Sequence, residues 1–233
     1  ECTVAELVLE RPARSRVFES LGIDYCCGGK KTLEAACAKK KLAAPEVIAL
    51  LSALDGESAL ELQPDSGTMA LGDLIDHILE AHHAYLRREL PRLGAMLRKV
   101  ERVHGDRNER LAAMLSVFDI FTLELNQHMM KEEEILFPMV RELESGNREA
   151  AGHCGSIGNP IRQMEHEHDG AGSAVARLRE LTDGFQPDAN ACNTHRALLA
   201  GLARLETDLH EHVHKENNVL FPRALALEAH AVS

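Results

Sequence analysis

Beyond residue 69 the apolar positions recur in alternating steps of three and four along four long stretches, about 70–103, 107–144, 160–182 and 190–227. That period belongs to helices with one buried face. A short His104-Gly105-Asp106 turn and two loops rich in Gly, Pro and Asn separate the stretches. Four amphipathic helices joined this way predict an up-and-down bundle.

The chain ahead of the bundle has its own punctuation. Thr3 followed by Glu6 reads as a capping box, Pro12 suits a first helical position and Gly22 suits the left-handed residue after a helix ends. Asp24-Tyr25-Cys26-Cys27-Gly28-Gly29 reads as a turn. Two short helices are expected at about 33–41 and 45–54, the second opened by Pro45. Gly56, Pro64 and Gly67 then break the pattern between Asp55 and Thr68. The predicted organisation is a small helical domain over 1–56, a linker over 57–69 and the bundle over 70–233.

The bundle is internally duplicated. His128-Met129-Met130-Lys131-Glu132-Glu133-Glu134-Ile135-Leu136-Phe137-Pro138 matches His212-Val213-His214-Lys215-Glu216-Asn217-Asn218-Val219-Leu220-Phe221-Pro222 at six of eleven positions, 84 residues apart. Two copies of one helical hairpin are implied.

The chemistry lies where polar residues interrupt the apolar stripes. In the second helix Leu111, Met114, Phe118, Phe121 and Leu125 lead to His128 and Glu132, with Ile135 and Met139 expected to continue the stripe. In the fourth, Leu198, Leu202, Leu205 and Leu209 lead to His212 and Glu216, then Val219. A His-x-x-x-Glu pair is common by chance, so its position decides. An ionised Glu inside a bundle costs several kcal/mol unless paired or metal-bound. Two such carboxylates close together require a cation between them.

The other helices supply imidazoles by the same test. His168 sits within Ile161, Met164, Ala171, Val175 and Leu178. In the first helix His83 falls in the apolar register Ile75, Leu79, Leu86, Leu90, Leu93 and Leu97, whereas the His82 register brings in Tyr85 and Glu89, so His83 is preferred. A hydrogen-bonded core histidine is the alternative for His83 or His168 taken singly. Together His83, His128, Glu132, His168, His212 and Glu216 form a matched set: two metals, each with two imidazoles, sharing both carboxylates as bridges. That composition suits a non-haem di-iron centre better than zinc, whose structural sites are mononuclear and often Cys-rich. Glu124 and Asp208, each four residues before a ligand His, and Glu167, next to His168, are candidates to orient the imidazoles. Lys131, Lys215, His210 and His214 lie off the stripes; the lysines are given no role and the two histidines are expected to be exposed.

Composition narrows the classes. Apolar residues make up 45% and charged ones 27%, an ordinary globular balance, while aromatics are sparse at 3%. The fold class is all-α. A net charge of −11 opposes binding to nucleic acid or an anionic membrane surface. No apolar run approaches the roughly 20 residues of a membrane span, and no signal-peptide core is seen. Six Cys without a C-x-x-C pair form no disulfide framework, which places the chain in the cytoplasm. Cys2, Cys37, Cys154 and Cys192 read as free thiols. Cys26 and Cys27 are adjacent, so a disulfide between them would be strained and easily reduced. Two reduced thiols in a turn, or a redox, metal or iron-transfer role, both remain open.

Three stretches together resemble a known family: Asp24-Tyr25-Cys26-Cys27-Gly28-Gly29-Lys30; His128 to Glu133 with Ile135-Leu136-Phe137-Pro138; and Glu216-Asn217-Asn218-Val219-Leu220-Phe221-Pro222-Arg223-Ala224-Leu225. They are similar to the hemerythrin-like iron–sulfur cluster repair di-iron proteins, the Repair of Iron Centres family of YtfE/ScdA type. The resemblance implies a small N-terminal domain with vicinal cysteines and a hemerythrin-like four-helix bundle. It implies two irons per chain, oxo-bridged, with ligands on the six residues the stripes select. Glu124 and Glu167 match acidic residues near the family's centre. It further implies a stress protein that restores clusters damaged by nitric oxide or oxidants, supplies iron to damaged iron–sulfur clients and binds nitric oxide at its irons. Cys26 and Cys27 would then gate or receive iron. A nitric oxide scavenger or reductase, or a sensor of nitric oxide or dioxygen, is the alternative on the same centre. Iron donation is preferred to a turnover reaction.

Overall fold

The computed structural model describes residues 2–57, 67–146, 155–189 and 191–232. The N-terminal unit contains α1 (Val4–Glu10), α2 (Ser15–Leu21), α3 (Leu33–Lys40) and α4 (Ala44–Glu57). Thr3 caps α1 reciprocally: its hydroxyl accepts from the Glu6 amide, and the Glu6 carboxylate accepts from the Thr3 amide at 2.7 Å. Pro12 opens a single tight turn, Pro12–Arg14, ahead of α2. Gly22, at φ +63°, ends α2 in the left-handed conformation. Val4, Val8, Phe18, Tyr25, Val47 and Leu51 bury the apolar faces of these short helices in one cluster.

Helix α4 runs three residues further than the sequence pattern predicts, into the start of the expected linker. The cause is a long-range ion pair. The Arg14 guanidinium donates to both Asp55 oxygens at 2.6 and 3.2 Å, and Arg11 donates to the Asp55 carbonyl at 2.7 Å, which anchors the last turns. Residues 58–66 of that linker lie outside the described residues.

The bundle helices are α5 (71–104), α6 (110–144), α7 (Gly158–Leu181) and α8 (193–232). Three contain a π-helical turn: Ile78–His83 in α5, Glu132–Leu136 in α6 and Glu216–Leu220 in α8. Such widened turns gather at functional sites. The extra residue in α6 also corrects one expectation: it rotates the following turn, so Leu136 is buried and Ile135 is 47% exposed. Strict three-four counting across a widened turn chooses the wrong neighbour.

The duplication extends to the helix ends. Glu144, at the end of α6, accepts from the Leu71 and Gly72 amides at 2.6 and 2.8 Å. Its repeat equivalent Glu228, 84 residues on, accepts from the Ile157 amide at 2.8 Å. Each hairpin therefore uses a carboxylate of its second helix to satisfy the free amides that begin its first.

Two apolar clusters fill the bundle. One holds Leu86, Leu90, Phe118, Phe121, Leu202 and Leu205, and the other Ile75, Ile78, Leu136, Phe137, Leu220 and Phe221. Between them lies the layer of polar residues described below. Among the described residues no helix is long and apolar enough to cross a membrane.

The turn at Tyr25 docks on α8. His214 Nδ1 donates to the Tyr25 carbonyl at 3.1 Å, Asn218 donates to the Cys26 carbonyl at 3.1 Å, and His210 Nδ1 lies 2.7 Å from Glu19 Oε1. Expected to be exposed, His214 is in fact buried and His210 is half-buried. The reason is tertiary: the N-terminal unit covers this face of α8, and helical periodicity within α8 carries no sign of it. The turn itself is tight. A Cβ on Gly29 would sit 2.4 Å from the Tyr25 carbonyl oxygen and 2.9 Å from Ala5 Cβ, so only glycine fits.

Candidate metal centre

The four helices bring together His83, His128, Glu132, His168, His212 and Glu216, all of them fully or almost fully buried. Their ligand atoms form two overlapping groups. His83, Glu132, His212 and Glu216 make one; His128, Glu132, His168 and Glu216 make the other, with atoms within 4.8 Å of one another in each. His83 Nε2 and His212 Nε2 are 3.2 Å apart, and His128 Nε2 and His168 Nε2 are 3.1 Å apart.

Both carboxylates divide their oxygens between the groups. Glu216 Oε1 lies 3.0 Å from His212 Nε2 and its Oε2 lies 3.1 Å from His168 Nε2. Glu132 Oε2 lies 3.3 Å from His83 Nε2 and its Oε1 lies 3.2 Å from His128 Nε2. Each group thus presents two imidazole nitrogens and one oxygen from each Glu.

This donor set fits a pair of cations. Glu132 Oε1, Glu132 Oε2 and Glu216 Oε2 are buried and receive no hydrogen bond among the described residues, although imidazole nitrogens are near. The N–H directions miss those oxygens, and the nitrogens converge on shared points instead. Mixed imidazole and carboxylate ligands suit iron, manganese or zinc, and shared carboxylates in a bundle suit a dinuclear centre.

The electrostatics also call for positive charge. Burial and the Glu216 charge oppose ionisation of Glu132, but His128 and His83 outweigh them and hold its carboxyl below the usual range. Burial likewise opposes ionisation of Glu216, yet His212 and His168 hold it well below. Burial opposes charge on His128, and the Glu132 carboxylate overcomes it, pushing the imidazole up to about 9.

With Nε2 turned inward, the outer Nδ1 atoms fix the rings. Glu133 holds His83 Nδ1 at 2.6 Å, Glu167 holds His128 Nδ1 at 3.0 Å, and Asn217 holds His168 Nδ1 at 2.8 Å. Burial disfavours the Glu167 charge, but Lys131, bonded at 2.5 Å, together with Gln163 and His128 brings it down to about 2. Among the described residues nothing bonds His212 Nδ1. The ring of His82 lies parallel to His212 instead, with centroids 5.3 Å apart.

Two of the expected orienting residues stand elsewhere. Glu124 is exposed and makes no bond to His128 among the described residues. The outer nitrogen of His128 is taken instead by Glu167 from the neighbouring helix α7. Asp208 bonds His82 Nδ1 at 3.0 Å rather than His212, and burial pushes its carboxyl up to about 7. The lysines set aside as off the stripe do make contacts: Lys131 donates to Glu167, and Lys215 donates to His82 Nε2 at 2.9 Å.

Sequence reasoning missed Glu133, Asn217 and His82. The repeat offset could have found the first two, since each directly follows a shared Glu and they occupy equivalent positions 84 apart.

Cys26 and Cys27 are free thiols with sulfurs 4.0 Å apart. Cys26 is buried against the bundle core and donates to Asp24 Oδ1 at 3.3 Å; the neighbouring Cys27 and burial push its thiol well up. Neither sulfur belongs to the two groups of ligand atoms. Cys2, Cys37 and Cys192 are free as well, while Cys154 lies outside the described residues.

Comparison with known proteins agrees with this geometry. Residues 74–224 match the hemerythrin HHE cation binding domain, and residues 1–55 match ScdA_N, a domain of unknown function. The chain is 42% identical to the iron-sulfur cluster repair protein YtfE of Musicola paradisiaca over 229 residues, 98% of each chain. It is 42% identical to the protein of that name from Pectobacterium atrosepticum over 96% of each chain, and 39% identical to that of Escherichia coli O157:H7 over 97% of each. A chain with this bundle and this near-complete likeness belongs to the family of YtfE-type iron-sulfur cluster repair proteins, built on a hemerythrin HHE domain.

Proposed function

We propose that this protein repairs iron–sulfur clusters damaged by nitrosative or oxidative stress, and that it does so in the cytoplasm by supplying iron. The observation that carries the reading is the pair of buried groups joined by Glu132 and Glu216. The repair proteins that this chain resembles over nearly its whole length support the repair role.

In this reading the cargo is two iron ions per chain with an oxo bridge. His83 and His212 would hold one and His128 and His168 the other, with Glu132 and Glu216 shared. When bound, the pair would also offer positions for a small ligand such as nitric oxide or dioxygen. The residues around it have separable tasks. Glu133, Glu167 and Asn217 keep three imidazoles oriented, and the two apolar clusters exclude water from either side. Cys26 and Cys27 lie at the contact between the N-terminal unit and α8, and in this reading they gate or receive the iron that leaves the bundle.

The test is reactivation. Iron-loaded protein should restore activity to an iron–sulfur enzyme inactivated by nitric oxide, under conditions where the same amount of free ferrous iron does not. Formation of nitrosyl species without iron loss, and with no reactivation, would overturn the reading in favour of a gas-handling protein.

A further inference from the structure

The two halves of the centre are built from one repeat, yet their outer supports differ at two positions: Glu133 against Asn217, which both still bond a ligand imidazole, and Glu167 against His82, which do not act alike. In the second hairpin Glu167 precedes His168, bonds His128 Nδ1 at 3.0 Å and is itself held by Lys131 at 2.5 Å. The equivalent residue of the first hairpin is His82, preceding His83, and the equivalent lysine is Lys215. Lys215 keeps its part, donating to His82 Nε2 at 2.9 Å. That fixes the tautomer: His82 carries its proton on Nδ1 and gives it to Asp208 Oδ1 at 3.0 Å. With both nitrogens engaged, His82 offers His212 only a ring face, the two planes 4° apart. His212 Nδ1 is buried and receives no bond among the described residues.

Three ligand imidazoles are thus locked by a hydrogen bond and one is held by packing alone. We infer that the two cation positions are unequal, and that the ion held by His83 and His212 is the exchangeable one, because His82 replaces the carboxylate that would otherwise lock His212. This rests on the proposed two-ion centre and says which ion leaves first. The step would be ligand exchange: the bond from the ion to His212 Nε2 would break first, those to His83 Nε2 and to one oxygen each of Glu132 and Glu216 would follow as bonds to the acceptor's donor atoms form, and no electrons move. Loss of an outer partner of a metal-bound histidine changes affinity about 10–100-fold, enough to separate two release phases in time.

The test is metal release from the full chain loaded with ferrous iron, followed by absorbance after addition of excess chelator. Two phases of equal amplitude, one ion each, are expected. His82→Glu restores the repeat pattern, with Lys215 ready to pair with the new carboxylate, and should slow the fast phase about tenfold or more while leaving the slow phase unchanged. Glu167→His makes the opposite swap at a partly exposed position and should convert the slow phase into a second fast one. It keeps the test decisive if His82→Glu does not fold. A single phase in the native protein, fewer than two ions per chain, or a Glu167→His variant that still releases half its iron slowly would overturn the inference. If the phases behave as stated but loaded protein fails to reactivate a damaged enzyme, the iron-supply reading fails and the asymmetry stands.

Discussion

Glu132 and Glu216 are both fully buried, and each sends one oxygen to either pair of histidines. Two carboxylates so placed destabilise the fold unless positive charge lies between them. A metal ion that binds only the folded chain stabilises it by mass action, by about 4 kcal/mol at a thousandfold excess over its Kd. At about 2–4 °C per kcal/mol for a chain of this size, chelating the metal should lower Tm by about 10 °C. Scanning calorimetry with and without chelator checks this; an unchanged Tm would count against the site.

The contrast between Glu133 and Glu124 separates contact from sequence proximity. Glu133→Ala removes the 2.6 Å bond to His83 Nδ1 and should weaken metal affinity about 10–100-fold. Glu124→Ala removes an exposed side chain and should leave affinity unchanged. Competition titration against a chelator of known strength reads both, and equal effects would mean the outer bonds do not orient the ligands.

Docking of the N-terminal unit should depend on pH through His214. Burial lowers its imidazole to about 4, the Tyr25 carbonyl partly offsetting that and Lys215 adding to it, from an ordinary value near 6.5. The unfolded chain therefore takes up this proton first as pH falls. Stability is fully present above about pH 6.5, declines toward about pH 4 and is level below, a loss of about 3 kcal/mol from this group. Urea unfolding at several pH values should show His214→Asn with a shallower decline in that window. An identical slope in both proteins would refute the assignment.

Gly29→Ala would force a Cβ to within 2.4 Å of the Tyr25 carbonyl oxygen. The turn must open, at about 1–3 kcal/mol by analogy with other overpacked sites. Chemical denaturation should show that loss while the metal content per chain stays unchanged, since no metal-site residue touches Gly29. Equal stability would show that the turn tolerates a side chain.

How much of this was legible in the sequence differs from residue to residue. The six histidines and glutamates of the centre could be chosen because each interrupts an apolar stripe, a one-dimensional signal set by helical period. Ile135 and Leu136 exchanged places because a π turn adds a residue that no period reveals. His210 and His214 were misplaced because the residues that cover them lie 191 and 189 positions away in the chain. Asp208 failed as the partner of His212 because His82 intercepts it, an outcome of three-dimensional packing. Glu133 and Asn217 were readable, but only by applying the repeat offset beyond the ligands themselves.

The measurement that tests the central claim most directly is elemental analysis of the protein purified from iron-replete cells, with Glu132→Ala and Glu216→Ala purified alongside. The native chain should carry close to two irons, and each variant fewer than one, because each carboxylate serves both positions. Near-zero iron or a single zinc in the native chain, or variants that each keep two irons, would contradict the account.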